Sequence, residues 1–244
     1  MLEIKNVSHK YGKFLALKDL SFTVGDGEFV GLIGPNGAGK TTLLNILNGI
    51  LAPTQGTVLL DGDTVGGFKP KVRFKLGYMP SEMSTYEMFS PLELLNFLSA
   101  MYSVPEDEAK EKIDFLFEKL EMNDWTNKSI KKLSTGMKKK TAFAASIIHS
   151  PSMLILDEPF ESVDPISQHS MRLIMEDLVS NGCSIIMSSH ILDQVQSVCS
   201  RYIILNKGEI AKEYNKADLD GTSLESEFIE LVEKLNLNGN SDEE

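Results

Sequence analysis

Eight residues constrain this chain more than any others. Gly34-Pro35-Asn36-Gly37-Ala38-Gly39-Lys40-Thr41 fits the pattern G-x-x-x-x-G-K-[ST] at every defined position. Before it lies a short apolar run, 28–33, of the kind buried on both faces of a sheet. After it, 40–50 carries Leu43, Leu44, Leu47 and Ile50 at helical spacing. A strand, a glycine turn and a helix in that order make backbone N–H groups converge on phosphate oxygens at the positive end of the helix dipole. The Lys40 ammonium is expected on the β- and γ-phosphates, and the Thr41 hydroxyl on a magnesium ion.

The rest of the chain reads as strands alternating with helices. Leu2 and Ile4, then Leu15, Leu17, Phe22 and Val24, mark two alternating runs, an N-terminal antiparallel β subdomain, and 53–62 reads as a further strand between turn signals. From 81 to 150 the period becomes helical. Leu92, Leu95, Phe97, Leu98 and Met101 mark one helix, and Ile113, Leu116, Phe117 and Leu120 a second. A third runs from Ser134 towards Ile148 and is stopped by Pro151. Strand character returns at 153–156, 184–187 and 202–205, with a helical pattern across 171–179. The expected fold is α/β with a mostly parallel sheet core, formed by 1–80 and 151–221, interrupted by an inserted α-helical subdomain at 81–150. Beyond 221 the sequence predicts a helix and an acidic tail at 222–244. Thr222-Ser223-Leu224-Glu225 reads as its capping box, and Leu224, Phe228, Leu231 and Leu235 as one apolar face.

Asp157 and Glu158 follow four apolar residues, so both carboxylates are expected at the carboxyl end of a buried strand, where open α/β sheets bind ligands. There Asp157 can hold Mg²⁺ through water, and Glu158 can polarise an attacking water and take its proton. Acids outnumber bases 35 to 24, a net charge of −11, yet the 36 residues from Glu209 hold eleven acids and three bases, net −8. Residues 127–140 carry six lysines and no acid. The acidic total argues against nucleic acid and anionic lipid as partners, and the lysine strip lacks the interleaved aromatics of a nucleic-acid groove. It reads as a local basic patch on a chain that is acidic overall. Two cysteines point to a reducing compartment. The first residues lack the apolar core of a signal peptide, and no apolar run approaches the ~20 residues of a membrane span. An intracellular chain, soluble or peripheral to a membrane, is expected.

With these residues in place, the chain resembles the ATP-binding cassette (ABC) ATPases, a branch of the P-loop NTPases, over about residues 2–235. Leu133-Ser134-Thr135-Gly136-Met137 matches the family signature L-S-G-G-Q at Leu133, Ser134 and Gly136. Tyr11 stands where the family stacks adenine, Ser162-Val163-Asp164-Pro165 resembles the loop linking the two sites of a dimer, and His190 matches the switch histidine at the γ-phosphate. The resemblance implies two cassettes paired head to tail, alike or different, with ATP between the phosphate loop of one and the signature of the other. The implied nucleotide contacts are Tyr11, the loop Gly34, Pro35, Asn36, Gly37, Ala38, Gly39, Lys40 and Thr41 with Thr42, and Ser134, Gly136 and Asp164. The implied magnesium ligands are Thr41, Asp157 and Ser81, and the implied catalytic groups Lys40, Glu158 and His190. A separate transmembrane permease is the implied partner, with this chain peripheral at the cytoplasmic face. The style of the helical segment is similar to the cassettes of drug, peptide or lipid exporters.

Thr135 and Met137 replace the signature's glycine and glutamine, Ser81 stands where the family often has glutamine, with Glu82 next, and Glu161 stands where glycine is usual. Two other readings compete. Asn215-Lys216-Ala217-Asp218 fits the guanine-reading N-K-x-D pattern of a GTPase, although beyond the last clear strand. A soluble ABC ATPase, such as the iron–sulfur assembly type, is compatible with the length.

Overall fold

The structure, a computed structural model, describes residues 1–67, 69–83, 86–219 and 222–239, the last six by backbone alone. Alternating apolar residues shape β1 (Leu2–Tyr11) and β2 (Phe14–Val24), which pair as an antiparallel hairpin. β3 (Phe29–Ile33), buried at all five positions, leads through the glycine loop into α1 (Lys40–Leu47). β4 (Gln55–Leu60) and the two-residue β5 (Asp63–Thr64) complete a sheet of order β2-β1-β4-β5. The single turn α2 (Pro70–Arg73), β6 (Leu76–Met79), α3 (Pro91–Met101), α4 (Glu106–Lys119) and α5 (Thr135–Ile147) follow. The chain continues through β7 (Met153–Asp157), α6 (Pro165–Ser180), β8 (Ser184–Ser189), α7 (Leu192–Val198), β9 (Arg201–Asn206), β10 (Glu209–Asn215) and α8 (Leu224–Gly239).

The larger sheet has the order β10-β9-β3-β8-β7-β6, parallel from β9 to β6 with β10 antiparallel at one edge. Its pleat sorts side chains between two cores. Val30 and Leu32 of β3, Met153 and Ile155 of β7 and Ile186 of β8 pack with α1 and the antiparallel sheet. Their neighbours Phe29, Ile33, Leu154, Leu156, Ile185 and Met187 pack on the other face with α3, α4, α5 and α6. Both phases of the strand period are therefore apolar, which is why these strands read as unbroken runs. Each such side chain contributes about 1.5–3 kcal/mol by leaving water. The helices of 81–150 share this second core with the sheet: Leu94, Ile113 and Phe143 belong to the same cluster as Leu154 and Met187.

Some elements differ from expectation. α1 stops at Leu47, where Asn48 closes the last turn onto Leu44 and Ile46, and Ile50 is left 59% exposed. Phe97 and Met101 lie on the outer face of α3. β10 and α7 had no apolar signal strong enough to announce them: β10 is an edge strand reading Glu-Ile-Ala-Lys-Glu-Tyr-Asn, and α7 buries only Val195. α8 is capped by Ser223, whose hydroxyl accepts from the Ser226 N–H at 3.1 Å, while the Thr222 hydroxyl turns back to the Leu219 carbonyl. The expected Thr222–Glu225 box is therefore displaced by one residue. Leu224 is buried and Phe228 and Leu231 pack on the core, as the apolar face predicts. Leu235 and the tail from Asn236 lie outside the described side chains. The C-terminal acids are also less idle than a solvated face: Glu209 pairs with Lys18, Glu213 with Arg201, and Glu227 accepts from the Tyr214 hydroxyl.

Parallel strands deliver their carboxyl ends to one edge. Ile33 stands beside Ser189, and Asp157 beside Ser188. The residues that leave this edge are Gly34, Pro80, Glu158 and His190.

Candidate functional site

Asp157 ends β7 at 1% exposure, and a carboxylate so placed needs partners. Its Oδ1 accepts from the Ser188 hydroxyl at 2.6 Å, and its Oδ2 from the Thr41 hydroxyl, in the first turn of α1, at 3.2 Å. The Lys40 ammonium folds back over its own loop, donating to the carbonyls of Gly34 at 2.6 Å and Pro35 at 3.2 Å. Burial lowers the Lys40 pKa, and the nearby carboxylates of Glu158 and Asp157 act in the opposite direction. Gly39 sits at φ +104°, where a Cβ would lie 2.9 Å from the Ala16 carbonyl, so the loop can seat against β2 only with glycine there.

Glu158 leaves the strand at φ +49°, a conformation that costs a non-glycine residue about 1–3 kcal/mol. The Glu161 N–H closes the turn onto the Glu158 carbonyl at 3.3 Å, and two side chains from other elements hold it. The Glu158 N–H donates to Ser188 Oγ at 3.1 Å, and its carbonyl accepts from the Lys139 ammonium at 2.8 Å. This turn carries the Glu158 carboxylate to His190: Oε2 lies 3.0 Å from the ring Nδ1 and 3.4 Å from the backbone N–H.

A cleft of ≈ 340 Å³ over the loop is shared by Tyr11, Phe14, Ser81, Asp157 and Glu158. Tyr11 and Phe14 are paired across the β1–β2 turn, 51% and 65% exposed. Thr41 and Asp157 offer oxygens suited to a hard divalent cation. Among the described residues no group of three or more His, Cys, Asp or Glu could hold a metal. A carboxylate beside a hydroxyl fits Mg²⁺, which leaves its remaining positions to water and phosphate.

Ser134, Gly136 and Asp164 do not line this cleft. Ser134 caps α5, its hydroxyl accepting from the Met137 N–H at 3.3 Å, and it is exposed at the helix start. A Cβ on Gly136 would lie 2.5 Å from the Ser162 carbonyl, so glycine lets α5 press on that loop. Met137 packs against the core in place of the signature's amide. Asp164 caps α6 by accepting from the Ser167 N–H at 2.9 Å, and this bond, with Lys140, holds its carboxyl below the usual range.

The lysine strip is not one surface. Lys128, Lys131 and Lys132 are exposed, but Lys139 and Lys140 are 4% and 7% exposed and point inward at the 157–167 loop. Asn215-Lys216-Ala217-Asp218 lies away from the cleft. The Asp218 carboxylate accepts from both Asn215 nitrogens at 2.9 Å, and Asn215 pairs with Arg201 at the amino end of β9, the edge opposite the phosphate loop. Among the described residues no helix is long and apolar enough to cross a membrane.

The family model described as ABC transporter matches residues 17–161, more than half of the chain, from β2 through the glycine loop and signature to the Asp157-Glu158 turn. The chain belongs to the ABC transporter family. It is an ATP-binding, ATP-hydrolysing subunit of that family. The ABC transporter ATP-binding protein MJ1023 of Methanocaldococcus jannaschii is 35% identical over 217 residues, 89% of this chain and 78% of the relative. The linearmycin resistance ATP-binding protein LnrL of Bacillus subtilis is 32% identical over 90% of this chain and 70% of its own. Among solved structures, an ATP-binding subunit of an ABC transporter superposes with TM-score 0.89 at 28% identity, covering 95% of this chain and 99% of that one. The cassette MJ0796, solved as a dimer in a post-hydrolysis state with ADP and Pi, shares the fold at TM-score 0.80 and 24% identity, over 88% and 99% of the two chains.

Three residues that touch this candidate site carry little signal in the sequence. Ser188 was hidden in the run Ser-Ile-Ile-Met-Ser-Ser, where a hydroxyl at the end of a buried strand was the available signal. Phe14 was visible as an aromatic three residues from Tyr11. Lys139 lies in the lysine-rich stretch of the sequence but is buried beneath its surface.

Proposed function

We propose that the chain is one half of a head-to-tail dimer that closes on two Mg-ATP and drives export through a separate transmembrane subunit at the cytoplasmic face of a membrane. One observation carries the dimer: the cleft of Lys40, Thr41, Asp157 and Glu158 and the exposed start of α5 at Ser134 lie on one chain without meeting. A second cassette, the same or a different chain, would supply its Ser134 and the backbone at Gly136 to the nucleotide in this cleft, with Asp164 in the loop beside them.

In that reading Tyr11 and Phe14 flank the base, the N–H groups of the loop from Gly34 to Thr42 hold the phosphates, and the Lys40 ammonium neutralises charge on the γ-phosphate. Thr41 and Asp157 would hold Mg²⁺, with Ser81 at the cleft edge, and the ion supplies charge neutralisation between phosphate oxygens. The Glu158 carboxylate orients the attacking water and takes its proton, and His190 steadies that carboxylate and faces the γ-phosphate.

Two lines support export and a membrane partner. Relatives are named for linearmycin resistance and, in YbhF of Escherichia coli (31% identical over 95% of this chain), as a probable multidrug transporter protein. A groove of ≈ 370 Å³ beside Ile50, Arg73, Met101 and Tyr102 exposes apolar side chains of a size to receive a partner's segment. The Glu158→Gln variant should keep ATP affinity and lose steady-state hydrolysis by roughly 10²–10⁴-fold. Hydrolysis at the wild-type rate would remove Glu158 from the role.

A further inference from the structure

α5 grips the whole connection from β7 to α6. At its start, Gly136 lies against the Ser162 carbonyl. Three residues on, the Lys139 ammonium donates to the Glu158 carbonyl at 2.8 Å, lies 3.5 Å from the Asp157 carbonyl and has the Glu161 carboxylate at 3.8 Å. Next, Lys140 donates to Ser167 Oγ at 2.9 Å and stands 3.9 Å from the Asp164 carboxylate. The loop is thus held at its beginning, middle and end by one helix. The beginning matters most, because Glu158 sits at φ +49°, where the local turn bond from the Glu161 N–H at 3.3 Å is joined by the tertiary contacts of Ser188 and Lys139. Lys139 is 4% exposed, and burial lowers its pKa while Glu161, Asp157 and Glu158 act to restore it. A buried ammonium gives strong, directional bonds to carbonyls, and here both carbonyls belong to the catalytic turn.

We propose that Lys139 is a positioning residue for hydrolysis: through the Glu158 carbonyl it couples the carboxylate serving one nucleotide to the helix whose start meets the other. This deepens the proposed function and rests on Glu158 being the base. The Glu161 carboxylate, 3.8 Å away, places a counter-charge beside the buried ammonium.

The test is single-turnover and steady-state ATP hydrolysis by the full chain, with nucleotide affinity read by a fluorescent ATP analogue. Lys139→Met should lower kcat on the order of 10–100-fold, the scale of a small misplacement of a reacting group, with KM and nucleotide Kd within about threefold of wild type. Lys139→Arg, which keeps the charge and the donors, should recover most of the loss. In a Glu158→Gln background, Lys139→Met should cost almost nothing further, because the group it positions is already gone. Multiplying losses in the double variant, a loss confined to KM, or unchanged kcat in Lys139→Met would each overturn the proposal. If Lys139→Met does not fold, Lys139→Gln, too short to reach the carbonyl, is read by the same criteria. Wild-type turnover in Glu158→Gln alone would instead sink the reading of the base, and the proposal with it.

Discussion

At the scale of single residues, the Asp157-Glu158 turn is held by a hydroxyl that does two jobs. Ser188 donates to Asp157 and accepts from the Glu158 N–H, so Ser188→Ala orphans an acceptor and a donor at once. The expected result is about 1–3 kcal/mol of lost stability and a fall in turnover of roughly tenfold or more, measured by thermal unfolding and ATPase assay. Unchanged turnover would place the serine outside the machinery. His149 makes a second prediction, on pH. Its ring stacks on Tyr102 at 3.9 Å and its Nε2 meets the Leu76 carbonyl at 3.0 Å, and burial pushes its pKa from 6.5 down to about 4. The unfolded chain takes up a proton that the folded chain refuses, so this contribution is full above pH 6.5 and lost as pH falls towards 4. His149→Phe should flatten the melting temperature across that window; an identical slope would contradict the assignment. Lys40, Thr41 and Asp157 were legible because their chemistry is local to a motif. Ser188 and Lys139 were not, because their partners lie 31 and 19 residues away: the β7–β8 register brings Ser188 to Asp157, and the packing of α5 against the turn after β7 brings Lys139 to Glu158.

At the scale of elements, α5 links signature and catalytic turn. Gly136→Ala places a Cβ where the Ser162 carbonyl already stands, so helix or loop must move. Turnover should drop while nucleotide affinity, set by the distant glycine loop, stays near wild type; wild-type turnover would show that the loop yields freely. The sequence foretold α5 and the buried strands well, since a proline stop and unbroken apolar runs are strong signals. It missed β10 and α7, whose short, polar sequences take their structure from the neighbours they pack against: β10 completes an edge beside β9, and α7 lies over β3 and β8. The inward turn of Lys139 and Lys140 also follows from packing, because helical spacing alone says which face a residue is on but not what that face meets.

At the scale of the whole molecule, the charge of −11 describes no single surface. Acids of the C-terminal third tie β10 and α8 to the body, while the lysines near the signature divide between solvent and a buried clamp. The groove lined by Ile50, Met101 and Tyr102 leaves the Ile50 and Met101 side chains exposed. Purification of the tagged chain from native membranes should bring down a polytopic protein, and recovery from the soluble fraction alone would point to a cassette uncoupled from transport. The central claim is that each chain carries two halves of two different sites. Light scattering during gel filtration of Glu158→Gln tests it most directly. With Mg-ATP the mass should double from 27.1 kDa, and Ser134→Arg at the start of α5 should abolish the shift without loss of ATP binding. A variant that saturates with ATP and remains a monomer would contradict the account.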